Sequence, residues 1–212
     1  MTAAGQPRYQ TSRKLLKVRS RLVKLGHLVG DNLSLARQAV IGDQMDLIPE
    51  VIAADSEIDK RYDKLDQSTF MAIAQQKPAE ADLRFLVSST RLGYELERSG
   101  DLVVNIAHAV KRIGGIPDSP ELRRILDALF EETGRILARS MEVFEEMDAA
   151  GGEELDKEDD VVDDLTDEFN KVIKDVSPEI GLEAGIALNR IGRFLERIAD
   201  HAVNVGDNTV YI

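Results

Sequence analysis

Asp55 and Asp59, Glu97 and Asp101, Asp159 and Asp163, and Glu196 and Asp200 are four carboxylate pairs, each spaced i, i+4. On a helix that spacing stacks both acids on one face, one turn apart, where like charges repel by a few tenths of a kcal/mol (about 0.2–0.5) per pair. Such pairs are left in water or neutralised. If helices carrying two pairs lie antiparallel, four carboxylates face one another and offer a cation only oxygen donors. A hard ion such as Mg²⁺, Ca²⁺, Mn²⁺ or oxidised iron suits that set, rather than the thiolate and imidazole donors of a typical structural zinc site. Arg98 and Arg197, each adjacent to a pair, are the competing neutralisers as salt bridges, which would leave a metal-free helical scaffold. Asn105 and Asn204, one turn beyond the second and fourth pairs, suit hydrogen-bonding roles around the site or to a neighbouring helix better than direct ligation.

Other chemistry finds little support. A carboxylate-bridged di-iron protein in a helical bundle uses Glu-x-x-His on two helices. The three histidines His27, His108 and His201 are preceded at that spacing by Lys24, Asn105 and Ile198. They read as surface or structural residues, with His201, next to Asp200, the one placed to approach a site. No nucleophile with a base and an orienting acid is placed by the sequence, and no Gly-rich phosphate loop, so no catalytic residue is assigned.

The elements that must position these acids are helices. Leu15, Val18, Leu22, Leu25 and Val29 follow spacings of three and four, as do Leu92, Leu96, Val103, Ile106 and Val110, then Leu155, Val162, Leu165 and Phe169, and finally Leu188, Ile191, Leu195 and Ile198; this is the period of a buried helical stripe. Glycine and proline punctuation divides the chain into helices at about residues 8–42, 45–76, 79–113, 120–149, 153–175 and 179–210. In this reading Gly151 and Gly152 interrupt the chain, and Pro78 and Pro178 open the third and sixth helices. The strongest break, Gly114 to Pro120, separates residues 1–114 from 115–212. Leu96, Glu97, Arg98, Asp101, Val104 and Asn105 recur 99 residues later as Leu195, Glu196, Arg197, Asp200, Val203 and Asn204, and Asp55, Ile58 and Asp59 recur 104 later as Asp159, Val162 and Asp163. The predicted fold is therefore all-α: two pseudo-symmetric three-helix bundles, six helices in all, packed side by side.

Composition sets the remaining bounds. The 212 residues hold 39 acidic and 27 basic side chains, a net charge of −12, distributed as +3 over residues 1–114 and −15 over 115–212. That acidity disfavours binding to nucleic acid, whose affinity rests on Lys and Arg neutralising phosphates. Arg8, Arg13, Lys14, Lys17, Arg19, Arg21 and Lys24 precede the first acid, Asp31, and such a helix either lies against an anionic partner or lipid or is simply solvated. Cysteine is absent, so disulfides and thiolate sites are excluded. No apolar run approaches a membrane span, no apolar signal core follows the cationic N-terminus, and a cytoplasmic location is expected.

At these residues the sequence resembles the PhoU family. The family's E(D)xxxD motif is matched by Glu97 to Asp101 and by Glu196 to Asp200, the latter within Leu195-Glu196-Arg197-Ile198-Ala199-Asp200-His201-Ala202-Val203-Asn204, and its QQPxAxDLR segment by Gln75 to Arg84 with Lys77 intruding before Pro78. The resemblance implies a non-enzymatic protein that represses the phosphate-starvation response and restrains phosphate uptake. It would do so by linking the Pst phosphate ABC transporter to a sensor histidine kinase, meeting the membrane only through those partners. It further implies a homodimer and metal ions (iron, manganese, magnesium or zinc) held by Asp55, Asp59, Glu97 and Asp101 in one repeat and Asp159, Asp163, Glu196 and Asp200 in the other.

Overall fold

A computed structural model describes residues 13–76 and 78–212. Six long helices account for it: α1 Arg13–Ile41, α2 Ile48–Gln76, α3 Glu80–Ile113, α4 Pro120–Glu146, α5 Ala149–Ile180 and α6 Leu182–Tyr211, with a 3₁₀ turn at Met45–Leu47 leading into α2. No strand occurs among the described residues. The expected helix start at residue 8, Arg8 of the basic run, and Lys77 lie outside them.

Helices α1, α2 and α3 pack on one another, as do α4, α5 and α6, and the two sets meet through α1 against α4 and α3 against α6. The stripes read from the sequence are the buried faces: Leu15, Val18, Leu22, Leu25 and Val29 of α1 are at most 3% exposed, and Leu188, Ile191, Leu195 and Ile198 of α6 are fully covered. The buried side chains of both sets merge into one apolar cluster. Phe85 of α3 stacks on Phe144 of α4 with ring centroids 6.3 Å apart. Charges tie the α1–α4 seam outside that core. Arg37 donates to Asp127 at 2.6 Å and Glu131 at 3.1 Å, and Arg123 donates to both carboxylate oxygens of Asp43 and to the Ile116 carbonyl.

The central punctuation works as its residue types dictate. Gly114 takes φ +75° and its N–H, with that of Gly115, returns to the Lys111 and Val110 carbonyls to close α3; Ser119 then caps α4 with Pro120 in its first turn. Two other breaks fall elsewhere than expected. Gly151 and Gly152 do not interrupt the chain. They lie buried in the first turn of α5; a Cβ at Gly152 would stand 2.9 Å from the Gly206 carbonyl oxygen, so its lack of a side chain lets α5 and α6 touch backbone to backbone, whereas one at Gly151 would meet Asp148 and the α4 side chains Arg139 and Val143. Pro178 does not open α6 either. It sits inside α5, where proline cannot donate to the Lys174 carbonyl; the Ser177 hydroxyl donates to that carbonyl instead, at 2.9 Å. The break comes at Gly181, whose φ of +81° only glycine adopts without strain.

Of the basic run, Lys14 donates to Gln75 at 2.8 Å, Arg19 to the Glu145 carbonyl and Arg21 to the Lys64 carbonyl. These cations therefore spread around α1 toward different neighbours. No described helix is long and apolar enough to cross a membrane.

Candidate metal centre

Helices α2 and α3 are adjacent, and so are α5 and α6, so each repeat brings two of the acidic pairs together. In the first repeat, the neighbouring charges of Asp59 and Asp101 act on Asp55, and those of Asp101, Asp59 and Asp55 act on Glu97. Partial burial is the larger effect on both, and the two carboxyls are held above their usual range. In the second repeat Asp159 is pushed up to about 7, first by burial and then by Asp163, Asp200, Asp156 and Glu196. Glu196 and Asp200 are raised by burial and by Asp163, against the pull of Arg193. Both predicted quartets are thus electrostatic units spanning two helices. Among the described residues no three carboxylates or imidazoles converge as ligands of one ion.

The two quartets are not equally neutralised. In the first, Arg98 donates to Asp101 at 2.9 Å, the bridge anticipated from its place beside the pair. In the second, Arg197 stays exposed and makes no ion pair among the described residues; the cation on Glu196 is Arg193, three residues earlier. Arg197 still influences Asp200 through space. Two carboxylate oxygens of this quartet, Asp159 Oδ1 and Glu196 Oε2, are buried without a hydrogen-bond partner, and so is the Thr166 hydroxyl nearby on α5. Such groups ordinarily find partners. A cleft of about 250 Å³ opens beside them, lined by Asp163, Thr166, Asp167, Asn170, Arg193 and Glu196. Orphaned, self-repelling, all-oxygen donors are the chemistry a hard cation satisfies, and in the second quartet they are buried without being gathered around one point.

Arg193 and Thr166 were not foreseen as site residues. Arg193 lies one helical turn before Glu196, a spacing equal to the Arg98–Asp101 one, and Thr166 one turn after Asp163 on the buried stripe. Asn204 bonds to Glu95 across the α3–α6 seam and holds that carboxylate against the rise caused by its burial. Asn105 lines a separate groove with His108 and Phe194. His201 also turns into the seam rather than toward Asp200: its Nδ1 lies 3.1 Å from the Ser99 hydroxyl and its Nε2 3.9 Å from Glu95. Burial, with Arg197 and Arg98 nearby, lowers the imidazole to about 4 and keeps it neutral.

The match to known proteins follows this duplication. A family model described as the PhoU domain matches residues 22–110 and again 126–209, each span holding one quartet. The chain belongs to the PhoU family. Its PhoU relatives include a protein of Mycobacterium leprae named phosphate-specific transport system accessory protein PhoU homolog 1, 28% identical over 93% of this chain and 90% of the relative. One from Synechocystis, named as a homolog of the same accessory protein, is 27% identical over 93% and 88%. The fold is shared with crystal structures of PhoU from Pseudomonas aeruginosa (TM-score 0.87, 24% identity, 93% of this chain and 96% of that one) and of the phosphate transport system regulatory protein PhoU from Streptococcus pneumoniae (TM-score 0.84, 23% identity, 92% and 93%).

Proposed function

We propose that this PhoU-family chain is a cytoplasmic, non-enzymatic regulator of a phosphate transport system, restraining phosphate uptake and repressing the starvation response by joining the transporter to a sensor histidine kinase. The observation that carries this reading is the match of both repeats to the family, together with relatives named as transport accessory proteins over about nine-tenths of the chain. In the same reading the protein acts as a homodimer and holds metal through its quartets. Asp159, Asp163, Glu196 and Asp200 are the stronger set, because their orphaned oxygens lack any other partner. Asp55, Asp59, Glu97 and Asp101 form the second, where a cation competes with Arg98 for Asp101. Bound metal supplies positive charge that cancels carboxylate repulsion between two helices and so fixes their surface for a partner. One observation favours metal-free neutralisation in the first repeat, namely that same Arg98 bridge.

The test pairs a cellular and a chemical readout. A deletion strain is expected to derepress its phosphate-responsive promoters in ample phosphate and to be restored by this chain; normal repression in the deletion strain would overturn the regulatory role. Elemental analysis of purified Glu196→Ala/Asp200→Ala is expected to show less bound metal than the parent, and unchanged stoichiometry there and in Glu97→Ala/Asp101→Ala would overturn the metal assignment.

A further inference from the structure

Seven of the eleven exposed large apolar side chains among the described residues lie on α3 and α6: Leu83, Val87, Tyr94, Leu182, Ile186, Val210 and Tyr211. Scattered exposed apolar residues are ordinary, whereas clustered ones mark interaction sites. These are placed by the repeat. Leu83, Val87 and Arg91 recur 99 residues later as Leu182, Ile186 and Arg190, a spacing of i, i+4, i+8 that keeps each set on one helix face. Leu182 is 79% exposed and Ile186 48%, so neither repeat uses these side chains in its core.

The helices run antiparallel. Ser99 meets His201, the Arg84 guanidinium lies 5.4 Å over the Tyr211 ring, and the opposite end of α3 joins the start of α6 in a groove of about 460 Å³ lined by Asn105, His108, Arg112, Leu182, Ile186 and Phe194. By the helical rise, Val87 sits about 18 Å to one side of the Ser99–His201 contact and Ile186 about 22 Å to the other. The two apolar patches are thus equivalent and about 40 Å apart, related by the pseudo-two-fold that relates the repeats. Charge follows the same symmetry at Arg91 and Arg190 alone, since the offset of 99 sets Tyr211 against Arg112 and the bridged Arg98 against Arg197. Arg91, Arg112, Arg190 and Arg197 are all exposed, and none has an ion-pair partner among the described residues. In a chain of net charge −12, four unpaired arginines on one pair of helices call for anions from outside.

We propose that the α3–α6 face docks a homodimeric protein, each subunit of which presents the same apolar anchor flanked by carboxylates, one to the Leu83–Val87 patch and one to the Leu182–Ile186 patch. Two-fold partner symmetry is what lets one surface satisfy both patches at once, and engaging both raises affinity well beyond either alone. The inference stands independently of whether that partner belongs to phosphate transport or signalling.

The experiment is photocrosslinking in the living cell with the full chain carrying a benzophenone amino acid in place of Val87, of Ile186 or of both, and in place of Lys60 on the exposed side of α2 as control. Both single positions are expected to label the same polypeptide, and the double position to give an adduct of one chain with two copies of it. Arg91→Glu/Arg190→Glu is expected to cut both adducts about tenfold or more while leaving the circular-dichroism melt unchanged. The proposal is overturned by labelling no stronger than at Lys60, by different polypeptides at the two positions, by adducts only with a second copy of this chain, by a one-to-one limit from the double position, or by yields indifferent to the arginine reversals. A common partner that proves unrelated to phosphate transport or signalling would overturn the function proposed above and leave this docking mode intact.

Discussion

Asp159 gives the sharpest test of how the second quartet is built. Its carboxyl moves from 3.8 to about 7 on folding, through burial and four neighbouring acids. At about 1.36 kcal/mol per tenfold change in the protonation equilibrium, that displacement amounts to about 4 kcal/mol for a wholly desolvated group. Asp159 is half-buried, and solvent screening brings the expected figure to about 1–2 kcal/mol. The sign follows from proton counting. Between pH 3.8 and 7 the folded chain holds a proton at Asp159 that the unfolded chain has released, so stability falls as pH rises through this window. The cost is absent below it and complete above it. In protein stripped of metal by chelation, Asp159→Asn removes the ionisation, and its unfolding free energy at pH 8 is expected to exceed the parent's by about 1–2 kcal/mol. For a chain of this size that is a Tm increase of about 2–8 °C. Urea titrations at pH 4, 6 and 8 read the difference, which should shrink toward zero at pH 4. A variant no more stable than the parent at pH 8, or a difference independent of pH, would refute the account of a strained carboxylate.

Four further outcomes follow from the same geometry. Adding Mn²⁺ or Mg²⁺ to chelator-treated protein at pH 8 should raise Tm by mass action, and Glu196→Gln/Asp200→Asn should abolish most of that rise in differential scanning fluorimetry. Gly206→Ala places a Cβ 2.7 Å from Leu155 Cδ1 and 3.0 Å from the Gly152 carbonyl oxygen, and should cost about 1–3 kcal/mol in urea unfolding. Phe169, fully buried in α5, should lose about 3–5 kcal/mol on replacement by Ala by the same measure. Arg123→Ala breaks a two-pronged bridge to Asp43 and a bond to the Ile116 carbonyl, with an expected loss of about 1 kcal/mol.

Helix number, core stripes and the pairing of acids across neighbouring helices were all legible from periodicity and the internal repeat, because a fixed offset carries each apolar position and each carboxylate into an equivalent environment. What escaped depends on contacts between helices. Pro178 reads as a helix opener, and only the Ser177 hydroxyl supplying the Lys174 carbonyl shows how α5 runs through it. Gly151 and Gly152 read as a break, whereas the approach of α4 side chains to Gly151 and of Gly206 to Gly152 makes them packing residues inside a helix. Arg98 and Arg197 occupy equivalent places in the repeat, yet among the described residues only Arg98 forms an ion pair, and the second quartet's cation comes instead from Arg193. His201, next to a site acid in sequence, points about a third of a turn away, into the α3–α6 seam.

The difference between the quartets bears on how they would fill. Self-repulsion among carboxylates is relieved by a proton, by an arginine or by a metal ion, and these compete for the same oxygens. In the first repeat Arg98 already occupies Asp101. In the second, Arg193 reaches Glu196 alone, Asp159 rises to about 7, and two carboxylate oxygens stay without a partner. Near neutral pH the competitor there is the proton on Asp159, so cation affinity of the second quartet should strengthen as pH rises through 7 and the carboxylate is freed. The first quartet must instead displace a guanidinium that does not titrate. Two sites built from one repeated motif therefore differ in what holds them closed, and the pH dependence of binding separates them.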